Sequence, residues 1–224
     1  MSGALKPNGQ NGNLNWYTQV FDAIKADPDA RRTAYMMTWT NFGLDQLELT
    51  NSVILGAKPP LPPDVVDDFE GHADDTALRA DYSTYGGNTI SLVSENGGKA
   101  LKLDYDFTYQ TYTGIGKRLE GDWSSYTGLS LWLKPDGSNH RMVLQLNAGG
   151  VAYEAYPSLA GTTGGPVTIP FADWRPAPWD TGNAHRRITP EDLRDLSQFN
   201  IFVNQANGAT VTKGSFTVDD IRVG

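Results

Sequence analysis

The 224-residue sequence contains no cysteine, which excludes disulfide bonds and thiolate metal ligands but leaves the cellular compartment open. It has 18 Lys and Arg against 26 Asp and Glu, and the basic residues are not clustered. Binding to nucleic acid depends on clustered cations at the phosphates, so we do not expect a nucleic-acid partner. The sequence also lacks an apolar run long enough to span a membrane, so we expect no membrane partner.

Large aromatic residues are abundant, with ten Tyr, eight Phe and six Trp. They provide side chains for a core and for exposed platforms, and the chain is long enough to bury a substantial core. Composition divides it into three parts. Residues 1–57 have helix and strand patterns, residues 58–65 (KPPLPPDV) predict a stiff proline-rich linker, and residues 66–224 have many short alternating runs.

The N-terminal part predicts one helix and one strand. In residues 15–26, Trp16, Val20, Phe21 and Ile24 recur at helical spacing, and Asp27 and Pro28 follow as stop signals. The run TAYMMTWTNFG at 33–43 is continuously apolar, which favours a strand buried on both faces. A helix followed by such a strand is half of a parallel α/β unit.

From Val66 onward the sequence alternates in the way typical of a β-sandwich, with Gly, Asn, Asp and Pro between the runs. The predicted strands are NTISLVS, KALKLDYDF, TGIGKRL, GLSLWLKPD, RMVLQLNA, VAYEAYPS, GPVTIPF, FNIFVNQ and GSFTVDDIRV. Residues 188–196 predict a helical turn with Thr189 as N-cap. About nine strands in this length predict a mainly β fold, a jelly-roll sandwich.

Several spaced motifs carry a resemblance to a known family. They are DDFEG at 67–71, KALKLDYDF at 99–107, DWSSYTGLSLWLKPDG at 122–137, VTIPFADW at 167–174, FNIFVN at 199–204 and FTVDDIRV at 216–223. Together they resemble the β-jelly-roll carbohydrate-binding modules of families 11 and 23, which are appended to glucanases and mannanases. The resemblance implies a galactose-binding-like sandwich over residues 66–224 that binds polysaccharide.

The N-terminal part, NWYTQVFDAIKADPDARRTAYMMTWTNFG, resembles the end of a glycoside hydrolase family 26 β-mannanase. Residues 1–57 are then a short α/β remnant of a (β/α)8 barrel. The family's two catalytic glutamates precede the matching helix and strand, and Glu48 is the only Glu before the linker. We therefore expect no hydrolase activity. Trp39 matches the aromatic residue that stacks on sugar in that family.

Alternation along the sandwich strands separates an apolar set from an outward set that mixes amides, carboxylates and flat aromatics. Sugars offer an apolar face and a rim of hydroxyls, so this mixture predicts a sugar-binding face. The predicted ligand-binding residues are Asp104, Asp106, Trp132, Gln145, Asn147, Glu154, Tyr156, Asn200, Phe202 and Asn204. The alternatives are that Trp132 and Phe202 pack beneath loops, and that the polar residues are solvated or pair along the sheet.

Loop aromatics add further candidates. Tyr82 and Tyr85 in RADYSTYGGN are predicted to contact ligand. Weaker candidates are Tyr109, Tyr112, Trp174, Trp179 and His185, for which the alternative is packing back onto the sandwich.

Acidic residues near both ends of the sandwich predict a structural Ca²⁺ site. If the first and last strands are neighbours, Asp68, Glu70 and Asp219 could converge with backbone carbonyls on one ion. The alternative is a solvated acidic cluster, and HADD at 72–75 is a weaker source of ligands.

The sequence thus predicts a non-catalytic module that binds β-mannan, glucomannan or mixed-linkage β-glucan in an open cleft on one sheet. The expected partner is plant cell-wall polysaccharide, and the module would target a parent endo-β-1,4-mannanase. We expect a monomer and an extracellular location, although Met1 is followed by SGALKPNGQNGN rather than a signal segment. The alternatives are a jelly-roll glycosidase or lyase using Glu154, Asp104 and Asp106, and a protein-binding assembly module.

Overall fold

The computed structural model describes residues 61–224. The predicted helix at 15–26, the predicted strand at 33–43 with Trp39, and the whole of the predicted barrel remnant at 1–57 lie outside the described residues.

Two antiparallel sheets form the sandwich. The first contains β1 (Val65–Asp67), β3 (Asn88–Glu95), β4 (Gly98–Asp106), β6 (Gly128–Lys134), β9 (Gly165–Pro170) and β12 (Lys213–Val223). Its strand order is β3-β4-β12-β6-β9, and β1 also pairs with β12. The crossovers between non-consecutive neighbours are those of a jelly roll.

The second sheet also has six strands. They are β2 (Ser83–Tyr85), β5 (Tyr112–Arg118), β7 (Arg141–Ala148), β8 (Val151–Ala155), β10 (Arg175–Pro176) and β11 (Leu196–Asn204). The order is β10-β8-β7-β11-β5-β2, which places the long strands β7 and β11 at its centre. The predicted mainly β jelly-roll sandwich is confirmed.

The core lies between the two sheets and follows the predicted alternation. Leu101 and Leu103 on the first sheet and Leu144, Leu146 and Ile201 on the second are all buried. Their neighbours in sequence point outward, so the outer face of each sheet carries the polar positions.

Each of the nine predicted strands is present, but three short strands and one helix were missed. Strands β1, β2 and β10 have two or three residues, too few for a period of two to be recognised. The helix α1 (Asp75–Asp81) is capped by Asp74, whose carboxylate accepts hydrogen bonds from Thr76 N and Ala77 N at 2.8 and 2.9 Å.

Within residues 61–224, three short 3₁₀ helices complete the fold, at Phe171–Asp173, Thr181–Asn183 and Asp192–Arg194. The last lies inside the predicted helical turn. Asp192 N donates to Thr189 Oγ1 at 3.2 Å, and Thr189 N donates back to the Asp192 carboxylate at 2.9 Å. The 3₁₀ helix itself follows Glu191, and Thr189 closes the preceding turn through this reciprocal pair of hydrogen bonds.

The first and last strands are neighbours, as the calcium prediction required. Val65 pairs with Arg222, and Val223 N donates to Asp64 O at 2.8 Å. The final residues of the predicted linker at 58–65 are thus already bonded to β12.

Tyr82 lies in the core, so its predicted contact with ligand is wrong. It is 5% exposed and its hydroxyl donates to the Asp67 carboxylate at 3.0 Å. The fully buried Asp67 also accepts from Lys117 Nζ at 2.9 Å and contacts His72 Nε2 at 3.2 Å. Burial, reinforced by Asp67, raises the pKa of the Tyr82 hydroxyl. Tyr82 is therefore part of a buried polar network beneath α1.

Candidate functional site

A row of polar side chains crosses the outer face of the second sheet at right angles to its strands. The register places Asn200 on β11 opposite Gln145 on β7, and Gln145 opposite Glu154 on β8. Asn200 Nδ2 donates to Gln145 Oε1 at 3.2 Å, and Gln145 Nε2 donates to Glu154 Oε1 at 3.0 Å. These bonds hold three side chains from three strands in one line.

An aromatic row lies next to this polar row, two residues further along each strand. Tyr85 on β2 pairs with Gly114 on β5, Gly114 with Phe202 on β11, and Phe202 with Val143 on β7. The rings of Tyr85 and Phe202 have centroids 5.3 Å apart. Tyr156 directly follows β8, so this side of the face is flat and apolar.

A second polar row follows on the far side of the aromatic row. Tyr112 on β5 is opposite Asn204 on β11, which is opposite Arg141 on β7. The Arg141 guanidinium lies 5.5 Å from the centroid of the Tyr156 ring. The aromatic row therefore has hydrogen-bonding groups on both sides.

Eight members of these rows line a cleft of about 1080 Å³, namely Gln145, Glu154, Val143, Phe202, Tyr156, Tyr112, Asn204 and Arg141, while Asn200 and Tyr85 lie beside it. Residues 205–209 and the exposed aromatics Tyr112 and Trp179 stand at its margins. Trp179 is 69% exposed although it is a large apolar side chain. Sequence patterns make it only a weak candidate, because no periodicity relates a loop residue to the sheet.

Two polar groups in the rows are held away from solvent. Glu154 is 7% exposed and accepts from Tyr156 Oη at 2.6 Å in addition to Gln145. Burial, followed by this bond to Glu154, raises the pKa of Tyr156. Asn200 is 2% exposed, and within the described part of the chain its Oδ1 has no hydrogen-bond partner. The carboxylate and amides are therefore fixed in place before any ligand arrives.

Two glycines in β5 let the neighbouring side chains approach closely. A Cβ at Gly116 would meet the side-chain ends of Asn200, Gln198 and Tyr85, with Gln198 Nε2 at 2.6 Å. A Cβ at Gly114 would meet the Phe202 ring and also backbone, with Ile201 O at 2.5 Å. The first substitution displaces side chains beside the cleft, and the second displaces both the Phe202 ring and the strand.

We expect Gly116→Ala to weaken ligand affinity with little loss of stability, because only side-chain ends must move. Gly114→Ala is the matched comparison and should lower the melting temperature, because a backbone carbonyl cannot move as easily. Thermal melts and binding titrations of both variants check this. Equal loss of stability in the two would contradict this account.

The structure separates the predicted ligand-binding residues between two faces. Gln145, Asn147, Glu154, Tyr156, Asn200, Phe202, Asn204 and Tyr85 belong to the second sheet or follow its strands. All but Asn147 lie in or beside the cleft. Asn147 is one row beyond Gln145, opposite Ala152.

The prediction of a single face is wrong for Asp104, Asp106 and Trp132, which are on β4 and β6 of the first sheet. Alternation identifies outward residues but not the sheet to which a strand belongs.

Trp132 packs against the protein itself. A Cβ at Gly164 would overlap its ring, which shows how closely the indole covers that loop. Trp174 is fully buried beside Phe171, with ring centroids 6.3 Å apart. His185 is exposed but does not line the cleft. Trp132 and Trp174 therefore pack onto the sandwich, which is the alternative to ligand contact.

The carboxylates proposed for an enzymatic alternative do not form a pair. Glu154 is on the outer face of the second sheet, whereas Asp104 and Asp106 are on the outer face of the first. Two carboxylates that act across one bond must face each other. This placement contradicts a glycosidase or lyase that uses these residues.

The three predicted calcium ligands have separate protein partners. Asp68 accepts from Glu70 N at 3.3 Å, Glu70 accepts from Lys99 N at 2.7 Å, and Asp219 accepts from Asn96 Nδ2 at 3.0 Å. Among residues 61–224, no group of three or more His, Asp or Glu side chains is gathered to hold a metal. Side chains alone therefore do not form a complete site there, and the calcium prediction depends on backbone carbonyls.

Comparison with protein families identifies the sandwich. A family model described as a carbohydrate-binding domain of family 11 matches residues 57–221. The chain belongs to this family. The sandwich is thus a non-catalytic family 11 domain, and of the two module families that it resembled in sequence, family 11 is confirmed.

Solved structures agree with this assignment at the level of the fold. The family 11 domain of a cellulosomal cellulase from Clostridium thermocellum has a TM-score of 0.54 at 19% identity, covering 74% of this chain and 95% of that one. A family 11 module of the same organism in complex with a β-1,3-1,4-mixed-linked tetrasaccharide has a TM-score of 0.52 at 21% identity, covering 71% and 94%.

A mannan endo-1,4-beta-mannosidase of Bifidobacterium adolescentis is 35% identical over 187 residues. The match covers 77% of this chain but 19% of that enzyme, so this chain spans only a small part of the enzyme's length. No helix in the described part of the chain has the length and apolar character needed to cross a membrane.

Proposed function

We propose that the cleft on the second sheet binds a soluble β-1,4-linked plant polysaccharide, namely β-mannan, glucomannan or mixed-linkage β-glucan. The observation that carries this proposal is the aromatic row of Tyr85, Phe202 and Tyr156 between two polar rows. Two similar proteins support it, namely the mannan endo-1,4-beta-mannosidase of Bifidobacterium adolescentis and the Clostridium thermocellum module in complex with a mixed-linked tetrasaccharide.

The arrangement of the rows gives the orientation of the ligand. A sugar ring has an apolar face and an equatorial rim of hydroxyls, so a chain of sugars fits best along the aromatic row. The chain would then run across the strands, with its rings over Phe202 and Tyr156. Its hydroxyls would reach Gln145 and Glu154 on one side and Asn204 on the other.

Affinity electrophoresis in gels containing galactomannan, glucomannan, β-glucan or xylan tests this function. We expect one or more of the first three to retard the protein. A reducing-sugar assay with the same polysaccharides should detect no released sugar, because the cleft contains no facing pair of carboxylates. Unretarded migration in all four gels would refute the proposal, and release of reducing sugar would support an enzyme.

We infer that the module serves a larger endo-β-1,4-mannanase by keeping it on its substrate. The match to a small part of a mannan endo-1,4-beta-mannosidase supports this, as does the resemblance of residues 1–57 to a family 26 barrel. Such a role places the protein outside the cell, where plant cell-wall polysaccharide is found, and requires only a monomer.

A structural Ca²⁺ bound near Asp219 and Glu70 is also proposed. Burial raises the pKa of Asp219, while the bond from Asn96 lowers it and the charges of Asp220 and Glu70 raise it further. Because the folded-state pKa lies above that of an unfolded aspartate, protonated Asp219 stabilises the fold at low pH. This contribution is lost as pH rises through the folded-state pKa. At neutral pH the buried negative charge is unfavourable, and a cation would relieve it.

We expect Ca²⁺ to raise the melting temperature of the wild type at pH 7, and EDTA to reverse the rise. Asp219→Asn removes the charge and should melt at or above the wild-type temperature in EDTA, with no response to Ca²⁺. A wild-type melting temperature that is the same in Ca²⁺ and in EDTA would count against the site.

A further inference from the structure

A second, smaller cleft lies at the edge of the first sheet. It occupies about 470 Å³ where β3 begins and β4 ends. Thr89 on β3 pairs with Asp104 on β4, and Asp106 follows two residues later on the same face. Tyr109, from the loop after β4, forms one wall. This cleft brings together three residues that the sequence indicated for sugar binding but that the first cleft does not use.

The loop that carries Tyr109 is fixed by hydrogen bonds on both sides of it. Gln110 Nε2 donates to Gly87 O at 2.7 Å and to Asp106 O at 2.8 Å, and Gly87 N donates to Gln110 Oε1 at 2.7 Å. Thr108 N donates to the Asp106 carboxylate at 2.8 Å. The backbone at Tyr109 is thereby preorganised, so a ligand need not order it.

Tyr109 is 99% exposed, the most exposed of the large apolar side chains in residues 61–224. A loop held this firmly could have folded the ring back onto the sandwich, as Trp174 does from another connection. Instead the full face of the ring is presented to solvent beside a concave surface. An aromatic face next to a few fixed polar groups is the composition of a sugar subsite.

The charges in this cleft are balanced, which favours a neutral ligand. Lys102 Nζ lies 2.8 Å from the Asp104 carboxylate, and Lys213 Nζ lies 2.8 Å from that of Asp106. The Lys213 and Thr108 bonds lower the pKa of Asp106 to about 2, so it is ionised at neutral pH. Both carboxylates are nearly half exposed and keep lone pairs that can accept sugar hydroxyls.

We propose that this second cleft, formed by Tyr109, Asp104, Asp106 and Thr89, is an additional binding site for a short stretch of neutral polysaccharide. The proposal rests on the proposed function, because it assigns the same class of ligand to both clefts. With two separate sites, one module binds two chains or two parts of one chain. Its binding to long polysaccharide then exceeds that of either site alone.

The test compares Tyr109→Ala with Tyr109→Phe in the full chain. The side chain is exposed, so neither variant should change the melting temperature. We expect Tyr109→Ala to reduce retardation in the best polysaccharide gel by roughly three- to tenfold through lost avidity. Tyr109→Phe keeps the ring and should behave as wild type. In calorimetric titration with a β-1,4-linked or mixed-linkage tetrasaccharide, wild type should bind two equivalents and Tyr109→Ala one.

Two other outcomes would overturn the proposal in distinguishable ways. If wild type is retarded and Tyr109→Ala matches it in both retardation and stoichiometry, the second site is absent while the proposed function stands. If wild type is retarded by none of the polysaccharides, the proposed function fails and the second site fails with it.

Discussion

Replacing Phe202 with alanine is expected to weaken binding of the preferred polysaccharide at least tenfold, about 1.4 kcal/mol. Phe202 is at the centre of the aromatic row, with Tyr85 at 5.3 Å on one side and Val143 on the other. Aromatic residues at the centre of a contact surface commonly carry most of its binding energy. Affinity electrophoresis and calorimetric titration of Phe202→Ala against wild type measure the change.

Trp132→Ala is the matched control for this experiment. Trp132 is also an outward aromatic of an interior strand, but it is on the first sheet and covers Gly164. Its loss should lower the melting temperature and leave polysaccharide affinity within about twofold of wild type, since it lies outside both clefts. The reverse pattern is a loss of affinity in Trp132→Ala with affinity kept in Phe202→Ala. It would indicate that the ligand binds on the first sheet, and it would contradict the proposed site.

Asp67→Ala should produce the largest loss of stability among the substitutions considered. The carboxylate is fully buried and accepts hydrogen bonds from Lys117 Nζ, Tyr82 Oη and Phe69 N at 2.9, 3.0 and 3.0 Å. Removing it leaves these donors without their acceptor. Breaking a buried ion pair from one side costs roughly 3–5 kcal/mol. Lys117 keeps Asp81 at 3.6 Å, so we expect the lower end of this range.

A loss of about 3 kcal/mol corresponds to a fall in melting temperature of roughly 6–12 °C for a domain of this size. Tyr82→Phe removes one donor and keeps the ring, so it should lose only about 1 kcal/mol. Both variants should bind polysaccharide as wild type does if they are assayed below their melting temperatures. Unchanged thermal stability of Asp67→Ala, or affinity lost in Tyr82→Phe, would contradict the structural role of this network.

The fold could be predicted from the sequence because its long strands have one buried face each. Leu101 and Leu103 alternate with Lys102 and Asp104, and this period of two marks the strand and its core side together. Helix α1 is not predicted because its seven residues bury only Leu78, and its capping Asp74 lies in HADD at 72–75, which the sequence indicates only as a weak source of metal ligands. A short element with one core residue carries little periodic signal.

The site could be predicted only in part. Alternation correctly places Gln145, Glu154, Asn200 and Phe202 on one outward face, and their mixture of amides, a carboxylate and a flat aromatic is unusual for a merely solvated face. Their grouping with Trp132 failed because strand order depends on long-range pairing, which alternation does not encode.

Two tyrosines illustrate the same limit at shorter range. Tyr82 and Tyr85 lie three residues apart in one predicted loop, yet one is in the core and the other beside Phe202. The three-residue strand β2 decides this difference, since its pairing with β5 turns Tyr85 outward. Pairing of so short a strand is determined by the rest of the sheet rather than by its own residues.

The most direct test of the central claim is an NMR titration of the ¹⁵N-labelled protein with mannotetraose and with a mixed-linkage tetrasaccharide. We predict that at least one of them shifts the side-chain amides of Gln145, Asn200 and Asn204 together with the backbone amide of Phe202. Binding detected by calorimetry without shifts at these four residues would contradict the claim that the cleft of the second sheet binds polysaccharide.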